Sequence, residues 1–167
     1  YLFSPGTVST KLGYSQSLND PTGEQSTMND SHIAYSHRPF QVTDDERSVK
    51  TSWGPSAIAL IPLSKQSRDV DQMQTSLIGA LGLKVLAGEE TSVHGFGAEF
   101  SFSLGQNFHA YETNKAGRIM TKLSSSQSMT LFYSLEDWVF SAKYTNKLGW
   151  PYAGEMRQAF ELTEDIT

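Results

Sequence analysis

Cysteine is absent from the 167 residues of this chain, which excludes disulfides and thiolate metal sites but leaves its redox compartment open. Long hydrophobic runs are absent too. None approaches the roughly 18 apolar residues of a membrane-crossing helix, so any embedding in a bilayer would have to be by strands closed into a barrel. Basic charge is scarce, with 13 Lys and Arg against 18 Asp and Glu and a net charge of -5. No basic footprint for nucleic acid exists, and nucleic acid is not an expected partner. A signal peptide is missing as well, and because the chain begins at Tyr1 it reads as a processed or trimmed product.

What remains is 38% apolar residues with a mean hydropathy of -0.39. That balance suits a soluble protein, and equally a transmembrane barrel whose apolar positions are diluted by a polar residue at every alternate one. The clearest stretch is Val93 to Phe108, where Phe96, Ala98, Phe100, Phe102 and Leu104 share one parity. Gly95, Gly97, Glu99, Ser101, Ser103 and Gly105 share the other. A helix would scatter these residues around its surface, whereas a strand sends them to opposite faces. Its length is informative, since a strand tilted through a bilayer needs about 9 to 11 residues and a usual soluble strand about 5 to 6.

The same alternation predicts strands over Thr7 to Leu18, around Ile33 and Tyr35, from Met73 to Ala87, around Met129 to Leu135, from Trp138 to Thr145 and around Met156 to Leu162. Val49 to Leu63 is apolar without clean alternation and reads as a strand apolar on both faces or a short buried helix, with Pro55 and Pro62 opposing the helix. Gln41 to Arg47, Ser124 to Ser126 and Asn146 to Gly154 read as turns or breaks. Connections alternate in length: polar at 19–30, short at 41–47, polar at 64–72, tight at 88–91, polar at 106–117.

The lines TVSTKLGYSQSL, VHGFGAEFSFSLG, SMTLFYSL and DWVFSAKYTNKLGW resemble strands of small Gram-negative outer-membrane β-barrel proteins. The resemblance covers most of the chain and is to an architecture. It implies an all-β fold, a transmembrane antiparallel up-and-down β-barrel of about 8 to 10 strands, with residues 1–167 as a single domain in the bacterial outer membrane. Outer-membrane lipid becomes the expected partner, small solutes are candidate cargo, and the oligomeric state stays open. The connections at 19–30, 64–72 and 106–117 would face outward. Barrels of this kind usually end in an aromatic residue. This chain ends at Glu164-Asp165-Ile166-Thr167, so the resemblance implies either a closing strand outside residues 1–167 or a larger barrel.

In that barrel Lys11, Lys84, Glu99, Lys143, Arg157 and Glu161 face the lumen, and Phe96, Phe100, Phe102, Leu104, Leu131 and Phe140 face lipid. Trp53, Phe108, Tyr111, Trp138, Tyr144, Trp150 and Tyr152 would supply interfacial girdles. Charges inside a narrow barrel must be paired or solvated. A paired ladder plugs the lumen, and unpaired wetted charges line a channel.

Chemistry-bearing motifs are sparse. His32, His37, His94 and His109 have neither HExxH spacing nor a Cys companion, and no metal or cofactor is expected. No GxSxG or SxxK arrangement is present. His94 with Glu99 and a nearby Ser is the one hydrolase candidate, as a triad assembled across strands. Gly95-Phe96-Gly97-Ala98-Glu99-Phe100 lacks the third glycine of a dinucleotide loop. Three functions follow: a porin-like passive channel or structural surface protein, a soluble or periplasmic β-barrel holding an apolar ligand against Phe96, Phe100, Phe102 and Leu104, and an outer-membrane lipid hydrolase.

Overall fold

The computed structural model describes residues 6–16, 26–87, 94–135 and 138–166, with backbone alone for Ser15, Gln16, Ser26, Thr27, His94 and Ile166. Alternating apolar and small polar residues give nine strands. They are β1 (Thr7–Gln16), β2 (Ser26–Ser36), β3 (Phe40–Asp44), β4 (Val49–Ile61), β5 (Met73–Ala87), β6 (His94–His109), β7 (Thr121–Leu135), β8 (Trp138–Pro151) and β9 (Arg157–Ile166). All pairings are antiparallel, in one sheet ordered β1-β2-β4-β5-β6-β7-β8-β9. β3 pairs with the first half of β4 and β2 with the second half, so the two short strands together occupy one position beside it. Pro39 stands in the gap between them, where a residue without an N–H donor does least harm to the ladder.

The all-β expectation holds, and the strands are long: β4 to β8 run 13 to 16 residues. The sheet is open, with β1 and β9 as its two edges, where the sequence led to an expectation of a closed barrel. Further expectations are corrected: residues 26–30 and 106–109, read as parts of connections, belong to β2 and β6, and three turns or breaks change as well. Gln41 to Asp44 is strand, since Phe40 to Asp44 pair with Val49 to Trp53, and the turn shrinks to 45–48 with Ser48 at φ 49°. Ser124 to Ser126 do not interrupt β7, because Gly105, Leu104 and Ser103 on one side and Gly149, Leu148 and Lys147 on the other hold them in the ladder. Asn146 to Pro151 continue β8 and are not a turn. The ambiguous Val49 to Leu63 stretch is strand to Ile61, paired along its length with β5.

The two ends of the sheet differ. One carries the turn at 45–48 and the connections between β5 and β6 and between β7 and β8. At the other, long connections knit together. Asp30, inside β2 and just before its pairing with β4 begins, accepts hydrogen bonds from the backbone N–H of Leu63 (3.0 Å) and Ser64 (2.9 Å) and from the Ser67 hydroxyl. Ser67 lies in a single helical turn, Gln66–Val70. Asn114 folds the 110–120 connection by accepting from the N–H of Ala116 (3.0 Å) and Arg118 (2.9 Å), with Gly117 taking a positive φ of 75°. Its side-chain amide donates to Asp71 at 3.1 Å, and Lys115 N–H donates to the Val70 carbonyl at 3.1 Å. Tyr152 N–H reaches the Met120 carbonyl at 3.0 Å. Backbone groups that leave the ladder thus find partners in neighbouring connections.

Among the described residues no hydrophobic side chain is buried, and the buried polar residues are all Ser or Thr: Ser31, Ser67, Ser76, Ser125 and Thr145. The described residues therefore form no oily centre. Most of the large apolar residues lie side by side on one face, where Trp53, Leu83, Phe100, Met129, Tyr144 and Leu162 form a single cross-strand row; Ile58, Ile78, Leu86 and Phe132 fall on the other.

Candidate functional site

The opposite face is built from the other parity of the same strands. Three successive rows cross it from β4 to β9. Ser52, Lys84, Glu99, Thr130, Lys143 and Thr163 form the first; Gly54, Gly82, Ser101, Ser128, Thr145 and Glu161 the second; Ser56, Ala80, Ser103, Ser126, Lys147 and Ala159 the third. Small and polar side chains dominate because each alternate position of an amphipathic strand falls here.

This polar face is concave. Residues of five consecutive strands, among them Ser52, Lys84, Glu99, Ser128 and Lys143, line one cavity of about 500 Å³. Laid flat at a spacing of about 4.8 Å, five strands would hold the outer two roughly 19 Å apart, so the sheet must curl around that space. A second hollow of about 220 Å³ continues it along β7, β8 and β9, lined by Ser126, Lys143, Lys147, Glu161 and Thr163.

All six charged residues expected inside a barrel share this face by register, since Lys11 pairs with His32, His32 with Leu60, and Leu60 with Ser76 in the same parity as the rows above. Cross-strand neighbours Lys84 and Glu99 form an ion pair at 2.7 Å. Glu161 pairs with Lys147 at 3.4 Å, a partner that the sequence reading did not single out although its parity with Lys143 was visible. Arg157 donates to the Ile119 carbonyl at 3.2 Å. Both ion pairs are about half exposed, so each contributes on the order of 1 kcal/mol or less.

Hydroxyl and amide contacts complete the wall. Ser101 and Ser128 oxygens lie 2.7 Å apart, and the Ser76 hydroxyl donates to the Asn107 side-chain oxygen at 2.6 Å. Asn107 in turn donates to the Thr121 carbonyl at 3.1 Å, and the Tyr152 hydroxyl donates to the Asn107 carbonyl at 3.2 Å. These partners meet across neighbouring elements but lie 14 to 45 residues apart in sequence, which is why no local pattern revealed them. Towards the short-turn end the ring of Phe132 covers Gly97 so closely that a Cβ there would collide with it, and Lys84 lies 5.4 Å from the same ring.

On the other face Phe96, Phe100, Phe102, Leu104, Leu131 and Phe140 are between 38% and 51% exposed. Trp53, Trp138 and Trp150, all the tryptophans of the chain, share that face by register and are exposed too. Trp53 stacks on Phe40 with centroids 4.3 Å apart, and Phe40 on His37 at 5.0 Å.

The four histidines are not gathered. His37 stacks on Phe40, His109 meets the edge of Tyr152 at 5.9 Å, His32 sits in the β2 ladder, and the side chain of His94 lies outside the described residues. Among the described residues no group of three His, Asp or Glu is placed to hold a metal. His94 and Glu99 occupy opposite-face register positions on an unbroken strand, and Glu99 is engaged by Lys84. No helix among the described residues is long and apolar enough to cross a membrane, which says nothing of strands. Compared with known proteins, the chain matches no family model, no curated protein sequence and no solved structure.

Proposed function

We propose that this chain is an outer-membrane-type β-barrel whose convex apolar face meets lipid and whose concave polar face lines a wetted passage for small solutes. One observation carries the reading: among the described residues no hydrophobic side chain is buried, while large apolar residues lie exposed across one face. In water such a surface would far exceed the few hundred Å² that soluble monomers expose; in hydrocarbon it costs nothing. A soluble barrel with phenyl rings lining its interior fits poorly, because the three rows of the polar face hold Ser, Thr, Gly, Ala and charged residues, while Phe96, Phe100, Phe102 and Leu104 belong by register to the opposite face.

Closure is part of the proposal. β1 runs away from the short-turn end and β9 runs back to it, so the two edges are antiparallel and suited to pair with each other. With β2 and β3 sharing one position, the ring would hold eight strands, and in lipid an unpaired edge is costly enough to drive that pairing. Eight-stranded barrels are usually filled by their own side chains. Here the Ser, Gly, Thr and Ala of the three rows leave the space of about 500 Å³ open. Filtering is then steric and electrostatic, without a chemical step.

The test is reconstitution. The purified chain is expected to need detergent or lipid to stay monomeric and to give discrete conductance steps in a planar bilayer. A chain that remains a monodisperse β-sheet protein in plain buffer overturns the membrane reading. A chain that inserts into lipid without conducting leaves a structural surface protein instead.

A further inference from the structure

We infer that the passage prefers small anions and that Lys143 is the residue that holds them; this rests on the channel reading above. The three rows of the concave wall contain three ammonium groups, Lys84, Lys143 and Lys147, and two carboxylates, Glu99 and Glu161. Each carboxylate already has its cation: Glu99 binds Lys84 and Glu161 binds Lys147. Lys143 has no ion-pair partner among the described residues, so one positive charge is left at the waist. The chain as a whole carries -5, but much of its acid sits in the connections, as at Asp45, Glu46, Asp69 and Asp71. The wall and the rest of the molecule therefore differ in sign.

The position of Lys143 suits it to a passing solute. It lines both hollows, where they meet. Its register neighbours are Thr130 and Thr163, with Ser128 and Thr145 in the row on one side and Ser141 and Asp165 in the row on the other, where no ion pair between Asp165 and Lys143 forms. An ammonium among hydroxyls offers an anion one full charge and several donors, while the flanking ion pairs present little net charge. Because the site is open to water, the attraction is weak, as passage requires: tight enough to enter and loose enough to leave. Singly charged inorganic anions and small carboxylates are the class that this arrangement fits.

The experiment uses the full chain in a planar bilayer under a KCl gradient at low ionic strength, with the reversal potential read for wild type, Lys143→Gln, Lys143→Glu and Lys143→Arg. Wild type and Lys143→Arg are expected to pass chloride in preference to potassium. Lys143→Gln should remove the preference, and Lys143→Glu should shift the chloride to potassium ratio about fivefold or more towards potassium, the factor given by one charge at contact distance in water-like surroundings. All three variants change an exposed side chain, and β-type circular dichroism in detergent checks that each folds. Conductance without anion preference, or with a preference indifferent to residue 143, overturns this inference and leaves the channel standing. Absence of any conductance overturns both.

Discussion

The two faces of the sheet are made from the same strands by alternate residues, yet they solve different problems. Phe100 and Phe102 stand exposed on the convex side, while Ser101 between them is held by Ser128 at 2.7 Å on the concave side. The apolar face has ring stacking, as of Trp53 on Phe40, and the polar face has hydrogen bonds and ion pairs. A soluble sandwich would turn the oily face inward onto a second layer, and no second layer exists among the described residues. The difference teaches that apolar burial within the chain does not hold this sheet together. Its stability comes from ladder hydrogen bonds and, in the proposed setting, from hydrocarbon on the convex face.

The strongest way to break the comparison is to place the same charge on each face. Phe102→Arg should destabilise the lipid-embedded chain by about 2–4 kcal/mol, the cost of a cation at the midplane, and Ser103→Arg by much less, since the concave wall is wetted. Reversible urea unfolding in liposomes measures both, and equal costs would remove the distinction between the faces. Next in size is the contact that fixes the concave side at the short-turn end. Gly97→Val drives a branched side chain into the Phe132 ring and should cost about 1–3 kcal/mol by the same assay, with Phe132→Ala in the same chain recovering part of it.

Asp30→Ala tests the long-connection end, where one carboxylate accepts from Leu63, Ser64 and Ser67. A loss of about 2 kcal/mol is expected, with faster amide exchange at Leu63 and Ser64 as its local signature. The smallest effect belongs to Lys84→Met. That half-exposed pair with Glu99 should yield a change under about 1 kcal/mol, visible in conductance before it is visible in stability.

Closure can be sharpened separately, since a chain free of cysteine reports cleanly on introduced pairs. Ser9→Cys combined in turn with Ala159→Cys, Glu161→Cys or Thr163→Cys should give an intramolecular disulfide for one combination in lipid. Cα separations must fall below about 7 Å for the bond to form. No bond in any combination would leave the edges of β1 and β9 apart.

Much of this was legible because period-two alternation survives in long strands. Phe96 to Leu104 announced β6, and Met73 to Ala87 marked β5 to the residue. What misled was local composition. Three serines in a row look like a loop, but Ser124 to Ser126 have a strand on each side to pair with, and a tertiary ladder overrides propensity. Asp44, Asp45 and Glu46 look like a charged turn, but Phe40 and Val42 supply the apolar parity of a short strand before it. Of the candidate site, the sharing of one face by these charges was readable from parity. Which lysine takes which carboxylate was not, because Lys147 reaches Glu161 diagonally across a register set only by the turn at 152–156. The bonds of Asp30 and Asn107 span 14 to 45 residues and left no mark on nearby sequence.

The central claim is the orientation of the convex face, and an accessibility scan along β6 tests it most directly. Cysteines introduced one at a time from Phe96 to Gly105, spin-labelled in liposomes, can be read against oxygen, which concentrates in hydrocarbon, and against a water-soluble nickel chelate. Even-numbered positions are predicted to collide with oxygen and odd-numbered ones with the chelate, in strict alternation through Leu104. Chelate access at positions 100 and 102, or both series shielded from each reagent, would contradict the account.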